Sequence, residues 1–298
     1  MKYSESTLAL WTRPASDTEE QKIVNTINMI KSAITASQEL KGLEIDIFVQ
    51  GSFANNTNVR TDSDVDVCVM LESTFFADYP YGKCNQDYGF SDGTLSFDEY
   101  RRRVKSAVEN KFGKASVSEG NKSLKIRSNS YHVNADVVVA FMFKDYRTIN
   151  STNPSSYIEG IRFFSLNGAT VTNYPKRHIA NGKNKNIQTN HRSKYLVRIF
   201  KRIRNAMVDD GKVNKDKISS FLVECLIWNV PNRIILGYST WAETIKEAII
   251  YLYHAIEEDK QKDWGEVSEC LYLFNDGRKW SAEDVQSFLL AMWIYLGY

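Results

Sequence analysis

The spacing of hydrophobic positions changes along this 298-residue chain. In the front half apolar residues mostly alternate or run together. In the back half they recur every three or four residues. Residues 17–40 put Ile23, Ile27, Ile30 and Ile34 on one stripe, which predicts a long amphipathic helix with an acidic start and Gly42 past its end. Ile45–Val49 predicts a strand that delivers Gln50-Gly51-Ser52, followed by a short helical turn over 52–56. Asp64–Val69 alternates with period two, so Asp64 and Asp66 would share one face of a strand while Val65, Val67 and Val69 take the other. Residues 78–96 read as a polar surface excursion. Residues 97–113 read as a basic helix with Tyr100, Val104, Ala107 and Val108 inward. Strands are expected at 123–127 and 131–143. The second is apolar apart from Asn134 and Asp136 and belongs deep in a sheet. A hairpin around Asn167-Gly168 fits 157–172, and 173–193 reads as a polar, basic loop. Helices follow at 193–209, 216–230, 240–258, 263–274 and 282–297, the last N-capped by Ser281 with Asp284 three residues on. The fold class is α+β: a mixed sheet with a long N-terminal helix, packed against a C-terminal helical lobe, with domains at 1–160 and 161–298.

Composition narrows the class without naming a chemistry. Hydrophobic residues make up 43% and charged residues 25%, an ordinary soluble composition. No apolar run approaches the roughly 20 residues that span a bilayer, and the first twenty residues lack a secretory apolar region, so a cytoplasmic protein with no membrane partner is expected. Cys68, Cys84, Cys225 and Cys270 show no metal-binding spacing, and three of them sit in apolar surroundings, as buried thiols in a reducing compartment do. A net charge of +2 does not suggest a protein that coats nucleic acid. Arg101-Arg102-Arg103 reads as a solvated helix face, the four histidines as structural, and Trp228 and Trp293 as core.

The chemistry concentrates in QGSFANNTNVRTDSDVDVCV, residues 50–69. Two carboxylates on one strand face repel unless a cation lies between them, and oxygen ligands suit Mg²⁺ or Mn²⁺. Gly51 lets backbone approach a phosphate, and Ser52 can donate a hydrogen bond to it. Asp136, a lone charge in an apolar strand, is the natural third carboxylate, since burying it without a cation or donor is costly. Together these suggest a site for two metal ions about 4 Å apart, working on nucleoside triphosphates. The reaction would be in-line attack of an acceptor hydroxyl on an α-phosphate, with pyrophosphate leaving.

Gly-Ser, eleven residues, Asp-Val-Asp-Val and a later strand Asp resemble the polymerase-β-type nucleotidyltransferase signature. GSFANNTNVRTDSDVDV, NADVVVAF, NYPKRHIANGKNKNIQTN, YLVRIFKRIRN and KISSFLVECLIWNVPN resemble the bacterial cGAS/DncV-like nucleotidyltransferases, or CD-NTases, from about residue 20 onward. The resemblance implies a polymerase-β-like mixed sheet, a helical lobe and a nucleotide cleft between them. It also implies synthesis of a cyclic di- or trinucleotide messenger that activates a separate effector protein in bacterial anti-phage (CBASS) signalling. Asp64, Asp66 and Asp136 would be the catalytic metal ligands. Gln50, Gly51, Ser52, Lys201, Ser219 and Ser220 would bind nucleotide. Lys194, Arg198 and Lys201, at i, i+4 and i+7, are expected on one open face of a helix, with Lys201 reaching the donor triphosphate and Lys183 and Lys185 reaching the second nucleotide. Asn56 stands where the family loop often has Gly, and Asn tolerates the left-handed conformation. No Cys/His insertion of zinc-ribbon type is present, so no long nucleic acid is expected as activator, and a monomer is expected. Two rivals stay open: a template-independent RNA nucleotidyltransferase of poly(A) or CCA-adding type, and a non-catalytic nucleotide sensor.

Overall fold

The computed structural model describes residues 1–14, 17–59, 64–275 and 279–298, without the side chains of 17–19. Residues 60–63 of the Gly-Ser/Asp motif and the acidic side chains at 17 and 19 therefore lie outside the described residues. In chain order the elements are α1 (Glu5–Trp11), α2 (Asp17–Thr35), β1 (Ile45–Gln50), α3 (Gly51–Ala54), β2 (Val65–Asp78), α4 (Phe97–Phe112), β3 (Val117–Glu119), β4 (Leu124–Ile126), β5 (Ala135–Asp145), β6 (Ile158–Phe164) and β7 (Thr170–Asn173). The helices α5 (Pro175–Gln188), α6 (Arg192–Asp209), α7 (Ser220–Trp228), α8 (Asn232–Leu236), α9 (Trp241–Glu257) and α10 (Ala282–Leu296) follow. They form two compact units. The sheet unit holds Ser16–Phe53 and Arg60–Lys176; the helical unit holds Met1–Ala15, Ala54–Val59 and Arg177–Tyr298. The expected division at 160/161 thus moves to 176/177. The reason is that β6 and β7 are hydrogen-bonded into the sheet through β5. The first residues and the 54–59 loop also join the helices rather than the sheet.

In the sheet unit, seven strands run in the order β1-β2-β5-β4-β3, with β6 on β5 and β7 on β6. Among the described residues only β2 and β5 pair in parallel; the other neighbours are antiparallel. Val65, Val67 and Val69 are fully buried as the alternation requires, but Cys68, Met70 and Leu71 are fully buried too. From Val67 to Leu71 the strand is therefore covered on both faces, and Asp66 marks the end at which one face opens. Ile23, Ile30 and Ile34 of α2 and Tyr100, Val104 and Val108 of α4 enter the same core as these strands. Arg102 and Arg103 pair with Glu99, whereas Arg101 is 9% exposed, so the triple-arginine run is not a uniformly solvated face.

In the helical unit, α6 is central. Leu196, Ile199, Phe200 and Ile203 are buried as the spacing predicts, against α7, α9 and α10 residues such as Leu222, Leu252 and Leu289. Ser219 and Ser281 cap α7 and α10 by accepting from Leu222 and Asp284 N–H.

Two segments depart from expectation. Residues 173–193 are not a loop: α5 forms there, with Pro175 at its first position. Its inward face is polar, so apolar periodicity is blind to it. Asn181 donates to the Val267 carbonyl (2.9 Å), and Lys185 Nζ donates to the Trp228 and Val230 carbonyls at the end of α7 (2.9 and 2.8 Å). Residues 263–274 are not a helix. Trp264, Val267 and Leu273 are buried, but Glu266 N–H bonds Leu271 O and Leu273 N–H bonds Trp264 O, as in a tight hairpin. Glu269 sits at φ +57°, which a continuous helix excludes. Of the four free cysteines, Cys68 and Cys225 are buried, Cys270 is half-buried and Cys84 is exposed.

Candidate active site

The sheet unit brings together one end of β1, β2 and β5. Asp66 and Asp136 are direct register partners on adjacent parallel strands, a backbone separation of about 4.8 Å. Gln50 faces Asp66 from β1, and Lys125 faces Asp136 from β4. Burial pushes the Asp66 carboxyl up to about 7, with help from the charges of Asp136 and Asp64. Burial raises Asp136 too, and the Asp64 charge adds to that, against the Lys125 ammonium and a Ser123 hydrogen bond that lower it. Asp64 stands just before β2 and is exposed.

Gly51 closes over Asp66. Its φ is +69°, and a Cβ added there would fall 2.1 Å from Asp66 Oδ2 and 2.9 Å from Asp66 Cγ. The residue must be glycine twice over, for its backbone conformation and for the space that the carboxylate occupies. Ser52 is next, in the four-residue helix α3, half-buried.

These residues fit a hard divalent cation. The donors are carboxylate oxygens, and two of the carboxylates stand opposite each other in register with proton affinities raised mainly by burial, which a bound cation would offset. Among the described residues no closed cluster of three or more His, Cys, Asp or Glu side chains is preformed. The Asp66–Asp136 pair is the part already assembled.

The nucleotide-binding residues expected in the helical unit are placed differently from an open cationic face. Arg198 and Lys201 are 3% and 2% exposed. Lys201 Nζ donates to Glu224 Oε2 (2.6 Å) and to Thr57 Oγ1 (3.0 Å). Thr57 also donates to Glu224 (2.8 Å), and His178 Nε2 lies 3.1 Å from the other carboxylate oxygen. Burial alone would raise the Glu224 carboxyl, but Lys201 and His178 outweigh it and hold it well below the usual carboxylate range. That stabilisation is full above the unfolded value of about 4.3 and is lost as pH falls toward the folded one. Lys185 is tied to the end of α7, with its pKa lowered to about 8 by burial; Lys183 is exposed. Ser219 serves as the α7 cap, and Ser220 follows it, half-buried. Glu224 escaped the sequence reading although it carries the same signal as Asp136, one carboxylate in an apolar segment (SFLVECLIW). Phe221 escaped it too. It is 38% exposed, and its ring stacks on Trp280 (centroids 5.6 Å, planes 23° apart) beside His178.

Lys201→Met strands a buried carboxylate. It should cost about 3–5 kcal/mol in urea unfolding, and Lys201→Met with Glu224→Leu should recover most of that. Equal stability of the single variant and the wild type would contradict the pairing.

Residues 30–117 match the model of the nucleotidyltransferase domain, and residues 180–297 match the cGAS/DncV-like nucleotidyltransferase C-terminal helical domain. The chain is 44% identical to the cyclic dipyrimidine nucleotide synthase CdnE of Cecembia lonarensis, over 99% of both chains. It is 37% identical to the enzyme of the same name from Legionella pneumophila, over 98% of this chain and 97% of that one. The solved structure of the Rhodothermus marinus CdnE c-UMP-AMP synthase with Apcpp and Upnpp superposes with a TM-score of 0.87 at 30% identity, covering 99% of this chain and 98% of that one. No helix among the described residues is long and apolar enough to cross a membrane. With a relative 44% identical along nearly its whole length, and with Asp66 beneath Gly51 and in register with Asp136, this chain belongs to the cGAS/DncV-like nucleotidyltransferases.

Proposed function

We propose that this nucleotidyltransferase joins two pyrimidine nucleoside triphosphates into a cyclic dinucleotide, the signal that a separate effector protein reads in cytoplasmic anti-phage defence. The observation that carries the chemistry is the Asp66–Asp136 register pair, with Gly51 over Asp66. The pyrimidine assignment draws on the two relatives named for cyclic dipyrimidine synthesis.

In this reading Asp64 and Asp66 would hold one divalent ion, and Asp136 would contribute to a second. Bound there, Mg²⁺ or Mn²⁺ would neutralise triphosphate charge and acidify the acceptor hydroxyl. Asp136 would take the hydroxyl proton. Gly51 admits the donor phosphates against its backbone, Ser52 donates its hydroxyl to them, and Gln50 borders Asp66. Lys201, Ser219 and Ser220 are assigned to the donor triphosphate. Since Lys201 spends its ammonium on Glu224 and Thr57, a phosphate contact requires exchange of one of these partners. Phe221, backed by Trp280, offers a stacking face to a base.

The test is mass spectrometry of products from purified protein, Mg²⁺ and all four NTPs without RNA. A phosphatase-resistant cyclic dipyrimidine is expected; a purine-containing ring would refute the base assignment. Phe221→Ala should raise KM for the stacked nucleotide about tenfold, the value of one base–aromatic stack, with a smaller change in kcat.

The raised Asp66 carboxyl makes metal binding pH-dependent. Asp66 favours the folded state fully below its unfolded value of about 3.9, and this contribution is lost as pH rises through about 7. Bound cation relieves the resulting repulsion and competes with the proton. Added Mn²⁺ should therefore raise Tm more at pH 8 than at pH 6, and an equal rise at both would contradict the assignment.

A further inference from the structure

We propose that Arg198 is a positioning residue that ties the loop after Ser52 to the N-terminal arm, making residues 1–13 part of the catalytic apparatus. The proposal rests on the nucleotidyltransferase reading above.

The loop in question has an unusual composition for its burial. Asn55, Thr57 and Asn58 are 3%, 1% and 6% exposed, yet none is apolar. Asn56, between them, stands at φ +51°. A polar loop of this kind is held by hydrogen bonds rather than by hydrophobic packing, so its place depends on a few donors. Two neighbouring turns of α6 supply them. Lys201 reaches the Thr57 hydroxyl, and Arg198 Nη1 donates to the Asn56 carbonyl and, at 3.3 Å, to its side-chain oxygen. The chain enters this loop two residues after Ser52 and leaves it five residues before Asp64. Anything that shifts residues 54–59 therefore acts through the backbone on the Gly51-Ser52 half of the motif.

The other side of the Arg198 fork serves a distant segment. Its Nε donates to the Thr12 carbonyl at 2.5 Å, at the end of α1. That arm is fixed independently. Lys2 N–H bonds the Leu296 carbonyl (2.6 Å), Leu8 is fully buried, and the Glu5 carboxylate accepts from Trp241 and Ala242 N–H (2.6 and 3.1 Å) at the start of α9. Arg198 thus transfers a fixed reference, the docked arm, to a loop with little apolar anchorage. A planar guanidinium can hold two carbonyls in set directions at once, which a lysine ammonium cannot do with the same geometry.

The experiment measures kcat and KM of the full chain for NTP consumption with Mg²⁺, well below each variant's Tm. A misplacement of about 1 Å near reacting groups costs about 10²-fold, so Arg198→Met should lower kcat by that order while KM stays within about twofold. Arg198→Lys, able to serve one carbonyl, should fall between. Glu5→Ala, which loosens the arm without touching Arg198, should lower kcat in the wild-type background and add nothing in Arg198→Met. Met292→Ala, a fully buried core change elsewhere in the helical unit, controls for lost stability and should keep kcat. The proposal is overturned by wild-type kcat in Arg198→Met, by an equal kcat loss in Met292→Ala, or by additive effects of Glu5→Ala and Arg198→Met. A wild-type protein without nucleotidyl transfer would instead overturn the functional reading on which the proposal stands.

Discussion

Asp66→Asn should reduce nucleotidyl transfer about 10³-fold or more while leaving the metal-free protein at least as stable as the wild type. The two effects have one source. Asp66 stands opposite Asp136 in the strand register, and burial with the neighbouring charges raises its proton affinity. Replacing it with a neutral amide removes an unfavourable charge from the metal-free state. On the proposed assignment it also removes one of the carboxylates that would hold a divalent cation, whose transition-state stabilisation of several kcal/mol corresponds to about three powers of ten. Activity and Tm should therefore move apart. An Asp66→Asn protein that turns over normally would remove Asp66 from the metal site, and one that simply unfolds would make its role structural.

Gly51→Ala has the second largest expected effect. A methyl group at that position would overlap Asp66 Oδ2 at 2.1 Å, and L residues resist a φ of +69°. The backbone cost is about 1–2 kcal/mol. The functional cost is larger, because the Asp66 carboxylate has to move by about an ångström or the turn has to open, either of which costs about 10²-fold in rate. Gly42→Ala separates the two terms. Gly42 has φ +82° with nothing within 4 Å of its added Cβ, so it carries the backbone strain without the collision. Gly42→Ala should lose stability but keep kcat, and Gly51→Ala should lose both. If the two variants behave alike, the close approach of Gly51 to Asp66 has no catalytic consequence.

How much of this was legible in the sequence depended on whether a residue's partner was local. Asp136 stood out because a carboxylate in a valine-rich strand is costly to bury, and Asp64 and Asp66 because period-two alternation puts both on one face after the Gly-Ser pair. The α6 stripe of Leu196, Ile199, Phe200 and Ile203 was equally plain at helical spacing. Lys201 and Arg198 show the limit. Charge at i, i+4 and i+7 looks like a solvated or ligand-facing stripe, and only long-range contacts reveal that Lys201 pairs with Glu224 and Arg198 holds the carbonyls of Asn56 and Thr12. Helix α5 was missed for the same reason: Asn181 and Lys185 dock on distant carbonyls, so its buried face has no apolar period. The opposite error occurred at 263–274, where Trp264, Val267 and Leu273 mimic a helix while the backbone turns back at Glu269.

The most direct test of the account is incubation of the purified chain with Mg²⁺ or Mn²⁺ and labelled NTPs, without RNA, followed by phosphatase treatment and mass spectrometry. The account predicts a phosphatase-resistant cyclic dinucleotide with release of pyrophosphate, abolished in Asp64→Asn/Asp66→Asn. Products that form only on added RNA ends, or turnover that survives the double substitution, would contradict it.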